Sequence, residues 1–515
     1  MIFIILTRAL KEGSEKYPDK TALVTDGSRY TYQQVYRDSL SFSGNLHELG
    51  HRKGERVVVF LDNRYEAVIS IYGTLISGGV FIPVNPEARG RKLHYILENS
   101  DARFVVTDAR RYRENLEHLS GCTVIIVGGR EGIQGNVLEM EEMLRAPTRM
   151  PEIRIIDADI ASIIYTSGST GIPKGVTMTH LSMSTAVDSI TAYIGNTNDD
   201  VVINVLPVSF DYGLYQILMT FSFWGTLVLE KNFVFFSNVI KRIREEKVTG
   251  FPIVPAIAEI MLKLKDFDQE DFSSLRYITN TAQKLPERTI RGLKEKLPHV
   301  KIFSMYGLTE CKRISYLEPE KVLLKPNSVG KAMQNTEVFL VDEEGGRIDE
   351  PNIPGELVVR GSNLMKGYWN DPVETAKVLK DGYYPYEKVL FTGDLFTMDE
   401  DGDLFFISRK DDVFKVGGEK VSPREVEDVI YALEGIKEAA IIRKEDSLMG
   451  NSLVAIVSVV EGLGEDTIRI HCARNLEKYL VPRELIILNS LPKNENGKID
   501  RKLLQEKYCL SLMVI

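Results

Sequence analysis

Cysteine is scarce in this chain of 515 residues, and its distribution excludes several classes of site. The four cysteines, Cys122, Cys311, Cys472 and Cys509, are widely scattered and have neither metal-ligand nor disulfide-framework spacing. Such a distribution suits a reducing compartment. We therefore expect these thiols to be inert rather than catalytic.

An excess of positive charge is also missing. The 64 lysines and arginines are outnumbered by 73 aspartates and glutamates, which gives a net charge of −9. This balance opposes general attraction to nucleic acid, although local basic pockets for phosphates remain compatible with it. Long apolar runs are absent too, since MIFIIL and CLSLMVI are both too short to span a bilayer. We expect a cytoplasmic protein with no nucleic-acid partner and no membrane span.

Low-complexity tracts and repeats of fixed period are likewise absent, which disfavours disorder, a coiled coil and a solenoid. From about residue 56 to residue 325, β-branched apolar runs alternate with amphipathic stretches. RVVVFLD precedes YEAVISIYGTLIS, and GFPIVP precedes AIAEIMLKLK. This order predicts parallel sheets flanked by helices. From Val338 to Phe406, short strands and glycine-containing turns predict a smaller β-rich subdomain.

A second domain is predicted after Arg409. The polar stretch KDDVFKVGGEK interrupts the strand pattern and indicates a hinge. Ser422 and Glu425 then have the spacing of a capping box, with Pro423 at the first helical position. The order that follows, helix, two strands, helix and strand, predicts an α+β domain of about a hundred residues.

The stretch IIYTSGSTGIPKGV, residues 163–176, is the most informative one. An apolar strand runs there into a loop with three glycines, four hydroxyl-bearing residues and Lys174. Glycines let backbone N–H groups approach an anion, hydroxyls add donors, and a lysine neutralises charge. The spacing departs from the Walker pattern GxxxxGK[ST], and such a loop taken alone suits a phosphate site or a surface turn.

Four further motifs follow this loop in order. They are Tyr306-Gly307-Leu308-Thr309-Glu310, Thr392-Gly393-Asp394, Arg409-Lys410-Asp411 and Asn496-Gly497-Lys498-Ile499-Asp500. Together with the loop they resemble the motifs of the adenylate-forming superfamily, which contains acyl- and aryl-CoA synthetases, luciferases and the adenylation domains of peptide synthetases. The resemblance covers nearly the whole chain, from Arg29 to Arg501.

The resemblance implies an α/β fold with two domains. A large N-terminal AMP-binding domain, residues 1–408, would contain two flanked β-sheets and a distorted β-barrel subdomain at about residues 330–408. A small, mobile α+β lid, residues 409–515, would follow a hinge near Asp411. The implied activity is that of an ATP-dependent acid–thiol ligase, which forms an acyl-AMP with release of pyrophosphate and then an acyl thioester.

The resemblance also assigns residues to ATP and Mg²⁺. Glu310 would contact the metal, because Mg²⁺ is held by one or two carboxylates together with substrate phosphates. Lys498 would bridge the carboxylate and the α-phosphate, and with Thr170 and Glu310 it would form the catalytic set. Asp411 would be the hinge residue, and Gly418 would let the thiol arm pass. The nucleotide would be bound by Thr166, Ser167, Gly168, Ser169, Thr170, Gly171, Lys174, Ala282, Gln283, Tyr306, Gly307, Thr309, Asp394 and Arg409.

The acid pocket is expected around Phe210 and Asp211. This pair resembles amino-acid-activating domains whose aspartate holds the substrate ammonium, and Arg313 stands at a position that lines the pocket in those relatives. Buried charges must be paired by each other or by the ligand, so this pocket does not suit a long alkyl chain. Our hypothesis is a small polar or amino-bearing acid. The alternatives are a structural Asp211–Arg313 ion pair and a medium or long acyl chain.

Several points stay open at this stage. The segment Thr281-Ala282-Gln283-Lys284 stands where many members of the superfamily carry a more glycine-rich segment beside adenine. The thiol could belong to coenzyme A or to the phosphopantetheine of a separate carrier protein. An inactive relative retained as a nucleotide-binding or interaction module is a third reading, and the retention of every charged motif residue argues against it.

Overall fold

The computed structural model describes most of the chain. The described residues are 5–88, 90–129, 132–133, 137–145, 153–167, 173–264, 267, 270–412, 414–416, 419–446, 450–476, 478, 480–494 and 497–509. The predicted site residues Gly168, Ser169, Thr170, Gly171 and Gly418 lie outside them.

The helices of the described residues are mostly amphipathic. None of them is both long and apolar enough to cross a membrane. They are α1 (Leu6–Lys16), α2 (Tyr32–Glu48), α3 (Tyr65–Ile76), α4 (Arg91–Ser100), α5 (Ala109–Glu114), α6 (Leu116–Leu119), α7 (Met140–Arg145), α8 (His180–Ile194), α9 (Asp211–Ser222), α10 (Phe236–Glu245), α11 (Pro255–Leu262), α12 (Glu287–Lys296), α13 (Pro372–Val378), α14 (Pro423–Ala432), α15 (Glu465–Asn475) and α16 (Arg501–Cys509).

As far as residue 306 most strands are separated by helices, and after it the strands follow one another more closely. They are β1 (Thr21–Thr25), β2 (Ser28–Thr31), β3 (Arg56–Phe60), β4 (Val80–Pro83), β5 (Phe104–Asp108), β6 (Thr123–Val127), β7 (Val137–Glu139), β8 (Ile160–Ser167), β9 (Pro173–Thr179), β10 (Val201–Asn204), β11 (Thr226–Leu229), β12 (Gly250–Ile253), β13 (Tyr277–Asn280), β14 (Lys301–Tyr306), β15 (Ser315–Tyr316), β16 (Ser328–Ala332), β17 (Thr336–Val341), β18 (Arg347–Ile348), β19 (Gly355–Gly361), β20 (Gly367–Tyr368), β21 (Leu379–Asp381), β22 (Lys388–Met398), β23 (Leu404–Arg409), β24 (Phe414–Val416), β25 (Glu419–Val421), β26 (Ile436–Asp446), β27 (Gly450–Val459) and β28 (Glu484–Ile487).

The chain forms two compact units. The first contains residues 1–338 and 359–390, and the second contains residues 339–358 and 391–515. The predicted domain boundary at residues 408 and 409 stays a prediction. The part of β22 from Phe391 onward, β23 and the α+β segment after them fall in the second unit. Strands β17 to β23 and helix α13 occupy the region of the predicted β-rich subdomain, which stays a prediction as a separate subdomain.

Two sheets with parallel centres carry the functional segments of the first unit. One runs β15-β14-β13-β12-β10-β11-β1-β2, with parallel pairing from β14 to β1. The other runs β20-β9-β8-β4-β3-β5-β6-β7, with parallel pairing from β8 to β7. Helices separate most of the parallel strands in sequence, as a parallel connection usually requires, and among the described residues no helix lies between β6 and β7. The predicted alternation of strands and helices is therefore confirmed.

The parallel strands are buried on both faces, which explains their apolar runs. Val58, Ile82, Val105 and Ile126 of the second sheet are at most 2% exposed and belong to one core cluster. Burying a side chain of this size contributes about 1.5 to 3 kcal/mol. Packing of this kind fixes the strand ends from which the polar loops emerge.

The second unit ends in an α+β segment. Its helix α14 precedes the β26–β27 hairpin, and β28 adds parallel to β27 after α15. This matches the predicted order of elements. The predicted capping box is wrong in detail: α14 does begin after Ser422, but the Ser422 side chain accepts no hydrogen bond from the first turn. Its hydroxyl donates instead to the Ile407 carbonyl oxygen at 3.5 Å.

Candidate active site

The β8–β9 hairpin places Lys174 at the base of the glycine-rich loop. The two strands pair antiparallel, with Thr166 opposite Lys174. Strand β20, almost 200 residues later, adds to the free side of β9 and puts Tyr368 opposite Val176. The loop itself and the side chain of Ser167 lie outside the described part.

Lys174 has an anionic partner that the sequence did not reveal. Its Nζ lies 2.5 Å from Oε2 of Glu374, and it sits 5.1 Å from the centre of the Tyr368 ring. Glu374 is held near the start of α13, where its N–H donates to the Asp371 side chain at 3.0 Å. Hydrogen bonds from Lys174 and Lys377 lower the pKa of the Glu374 carboxyl to about 2. The Glu374 carboxyl is therefore ionised at neutral pH.

Glu310, the predicted metal contact, is joined to the same group. The Tyr368 hydroxyl donates to Oε1 of Glu310 at 2.9 Å, and the Met365 N–H donates to the Glu310 carbonyl oxygen at 2.7 Å. Tyr368 therefore lies between two charged side chains. The Lys174 ammonium lies over its ring, and the Glu310 carboxylate accepts a hydrogen bond from its hydroxyl. Sequence reasoning missed this tyrosine, because a single tyrosine after a glycine carries no chemical signal of its own.

Replacing Glu374 by glutamine should strengthen ATP binding up to about fivefold, because Lys174 must exchange this carboxylate for a phosphate and a partly exposed ion pair is weak. Lys377→Gln is the matched comparison, since it removes the other cation on Glu374 but keeps the Lys174–Glu374 pair, and it should not strengthen ATP binding. Isothermal titration calorimetry on the three proteins measures the effect. Weaker ATP binding by the Glu374→Gln variant would contradict the exchange.

At Gly307 the backbone of Lys312 and Arg313 comes so close that only a glycine fits. A Cβ atom at Gly307 would lie 2.3 Å from the Lys312 carbonyl oxygen and 2.8 Å from the Arg313 Cα. The chain reverses after Thr309 and Glu310, and Tyr306 at the end of β14 pairs with Ser315 of β15. The tight reversal explains why a glycine occupies this position.

The predicted adenine segment contains local backbone strain. Ala282 has a φ of +72°, in the left-handed region that costs an L-residue about 1 to 2 kcal/mol. The side chain of Asn280 supports the turn by donating to the Gln283 carbonyl oxygen at 2.8 Å. The turn thus adopts a glycine-like conformation with an alanine in it.

Asp211 is paired, but not with Arg313. As the first residue of α9, Asp211 has a carboxylate that the helix N-terminus favours. Its Oδ2 lies 3.5 Å from Nζ of Lys312, a residue that sequence reasoning had not considered. Phe210 precedes the helix and packs edge-on against Tyr212, with ring centres 6.4 Å apart. The structure therefore does not form the Asp211–Arg313 ion pair that was one of the alternatives.

The second unit brings Asp394 and Arg409 together. The two residues stand opposite each other in the antiparallel β22–β23 pair, and Arg409 Nε lies 3.2 Å from Asp394 Oδ1. The aspartate side chain is 4% exposed and the arginine side chain 60% exposed. An acceptor and a cation are thus fixed side by side, as binding of a ribose and a phosphate would need.

Lys498 lies on a separate turn of the second unit. The Asn494 N–H donates to the Lys498 carbonyl oxygen at 2.7 Å, and the Lys498 N–H donates to the Asn494 side chain at 3.0 Å. Gly497, at a φ of +73°, lets the chain turn. Asp411 belongs to a short 3₁₀ helix, Lys410–Asp412, and its side chain lies outside the described part. The roles of these residues stay predictions.

Comparisons with known proteins agree on one family. A family model described as AMP-binding enzyme matches residues 10–369, and one described as AMP-binding enzyme C-terminal domain matches residues 425–498. A long-chain-fatty-acid–CoA ligase of Bacillus subtilis is 30% identical, over 98% of this chain and 94% of that protein. A 4-coumarate–CoA ligase-like protein of Oryza sativa is 31% identical, over 96% and 91%.

Solved structures with the same fold include complexes with nucleotides. ATP-bound MatB from Rhodopseudomonas palustris has a TM-score of 0.89 and 25% identity, with 99% of each chain covered. The o-succinylbenzoate CoA synthetase of Bacillus subtilis, in complex with its acyl-adenylate OSB-AMP, has a TM-score of 0.84 and 26% identity, with 96% of this chain and 97% of that chain covered. The predicted fold class and the predicted resemblance are confirmed.

Proposed function

This chain belongs to the AMP-binding enzyme family, and from that premise we propose that it activates a small carboxylic acid with ATP and transfers the acyl group to coenzyme A. In the first step a carboxylate oxygen bonds to the α-phosphorus as the bond to pyrophosphate breaks. In the second step the thiol sulfur bonds to the acyl carbon, AMP leaves and the thiol proton is released.

The observation that carries this proposal is the cluster of Lys174, Tyr368 and Glu310. Pyrophosphate departs with negative charge, so the first step needs a cation and a metal-binding carboxylate near each other. Three distant segments supply both groups through one tyrosine, at 5.1 Å and 2.9 Å. A β-hairpin is stable without a partly buried cation and a carboxylate held in this way. We therefore assign this arrangement a role other than stability.

Glu310 also fits a magnesium ion. Mg²⁺ takes oxygen ligands and is held by one or two carboxylates with substrate phosphates. The Tyr368 hydroxyl orients one carboxylate oxygen, so the group is fixed before any ligand binds. When bound there, the ion would neutralise charge on the phosphates. Asp394 and Arg409 would hold the ribose and the nucleotide from the second unit.

Coenzyme A is the thiol that the relatives favour, because the curated proteins of similar sequence are named CoA ligases. The phosphopantetheine of a carrier protein has the same thiol arm as coenzyme A. The two differ in the group attached to the other end of that arm. The second unit would bring Lys498 to the first step and, after turning at Asp411, would admit the thiol arm past Gly418.

The test is pyrophosphate release from ATP with a panel of carboxylic acids, followed by thioester formation with coenzyme A or with a phosphopantetheinylated carrier protein. We expect acid-dependent pyrophosphate release and a thioester with coenzyme A. Thioester formation with the carrier protein alone would overturn the choice of thiol. Absence of pyrophosphate release with every acid would overturn the function and favour the inactive relative.

A further inference from the structure

Arg313 is a buried cation whose hydrogen bonding is incomplete. Its side chain is 2% exposed, and its Nε and Nη1 atoms have no hydrogen-bond partner in the described part of the chain. Removing a charge from water without pairing it costs several kcal/mol. A folded protein retains such a group where a ligand supplies the missing hydrogen-bond acceptors and the opposite charge. Arg313 is therefore a candidate for an anion-binding residue.

The nearby carboxylate of Asp211 does not balance this charge, because Lys312 engages it. Lys312 Nζ lies 3.5 Å from Asp211 Oδ2 and 4.4 Å from the centre of the Tyr215 ring. Burial lowers the pKa of the Lys312 ammonium to about 8, and Asp211 opposes that shift. Lys312 therefore stays mostly charged at pH 7. One carboxylate and two cations leave a net charge of about +1.

The position of Arg313 is fixed by its backbone. Asn363, which is fully buried, donates from Nδ2 to the carbonyl oxygens of Cys311 and Arg313 at 2.9 Å and 2.8 Å. The Arg313 N–H donates to the Cys311 carbonyl oxygen at 2.7 Å. This backbone fixes where the side chain begins, and a planar guanidinium loses little freedom for each hydrogen bond that it forms.

Aromatic rings form the surroundings of the guanidinium. Its central carbon lies 5.5 Å from the centre of the Tyr212 ring on α9. Burial raises the pKa of the Tyr193 hydroxyl on α8, and the charge of Arg313 together with a side-chain hydrogen bond to it opposes that shift. A flat guanidinium between aromatic groups presents a rigid pair of donors that matches a carboxylate.

We propose that Arg313 binds a second carboxylate on the acid substrate, at the end opposite the reacting carboxylate. The substrate class is then a dicarboxylic acid, aliphatic or aromatic, in place of an amino acid or a fatty acid. This inference rests on the proposed function, in which Lys498 bridges the reacting carboxylate. The second carboxylate would restore charge balance around Arg313, Lys312 and Asp211.

The experiment compares matched acids in the wild-type protein and in two variants. Each set shares one carbon skeleton, aliphatic or aromatic, and ends in a carboxylate, a carboxamide or a methyl group. Pyrophosphate release gives kcat/KM for each acid, and calorimetry gives the affinity for each acid in the presence of a non-hydrolysable ATP analogue. The variants are Arg313→Gln, which removes the charge, and Arg313→Lys, which keeps it.

In the wild type, we expect one dicarboxylate to exceed its methyl-terminated partner by about 10²-fold in kcat/KM. Arg313→Gln should lower kcat/KM for that dicarboxylate by about 10²-fold, so that the preference over the methyl-terminated acid is lost while the ATP affinity is kept. Arg313→Lys should retain part of the preference. Should Arg313→Gln fail to fold, the wild-type selectivity alone decides.

Three outcomes overturn the inference, and they separate it from the proposed function. Pyrophosphate release that favours methyl-terminated acids, with no change in Arg313→Gln, leaves the function standing and makes Arg313 a packing residue. Equal losses for mono- and dicarboxylic acids in Arg313→Gln place Arg313 at the reacting carboxylate. Absence of pyrophosphate release with any acid removes the proposed function and the inference together.

Discussion

Lys498→Ala is expected to lower the rate of acyl-adenylate formation by roughly 10² to 10³ and to leave the ATP dissociation constant nearly unchanged. The ammonium charge is needed where the carboxylate and the α-phosphate react, and it is used most in the transition state. The turn that carries Lys498 is held by its own backbone and by Asn494, so the alanine variant should fold. Single-turnover pyrophosphate release measures the rate, and calorimetry measures ATP binding.

The matched control is Lys502→Ala, which removes an exposed lysine four residues later on α16. It should leave both quantities unchanged. A Lys498→Ala protein that forms the adenylate at the wild-type rate would remove Lys498 from the mechanism. A large loss of ATP affinity would show instead that its charge binds the ground state.

Gly307→Ala is expected to destabilise the protein by about 1 to 3 kcal/mol, because the new Cβ would lie 2.3 Å from a backbone oxygen that cannot move alone. The displaced segment carries Lys312 and Arg313, and Glu310 lies within the same reversal. A shift of about 1 Å at a reacting centre lowers the rate about 10²-fold, so adenylate formation should fall by that factor. Denaturant unfolding and pyrophosphate release measure the two effects.

Gly121→Ala is the matched control, since a Cβ atom there meets no atom within 4 Å. It lies in the same unit, and its stability and activity should match those of the wild type. A Gly307→Ala protein with wild-type stability and rate would show that the reversal adjusts without moving the site. A loss of stability with an unchanged rate of adenylate formation would show that this segment can be destabilised without moving the reacting groups.

Local patterns in the sequence predicted most elements that carry the site. The apolar run RVVVFLD, the amphipathic YEAVISIYGTLIS and the run VFIPV became β3, α3 and β4, because their periods fit a buried strand and a packed helix. The α+β order after residue 422 was also confirmed. The capping box failed because the Ser422 hydroxyl had a competing partner in another strand, which no local pattern reveals.

The family and the enzyme class, an AMP-forming acid–thiol ligase, follow from the amino-acid sequence alone, since glycines, hydroxyls and charges in short motifs carry that information. Which charges meet depends on the folded structure. It paired Lys174 with Glu374 and Asp211 with Lys312, and among the described residues it left Arg313 as a buried cation with unfilled donors. Such pairings depend on sheet register and on distances through space between remote segments, and a side chain's chemical type does not specify them.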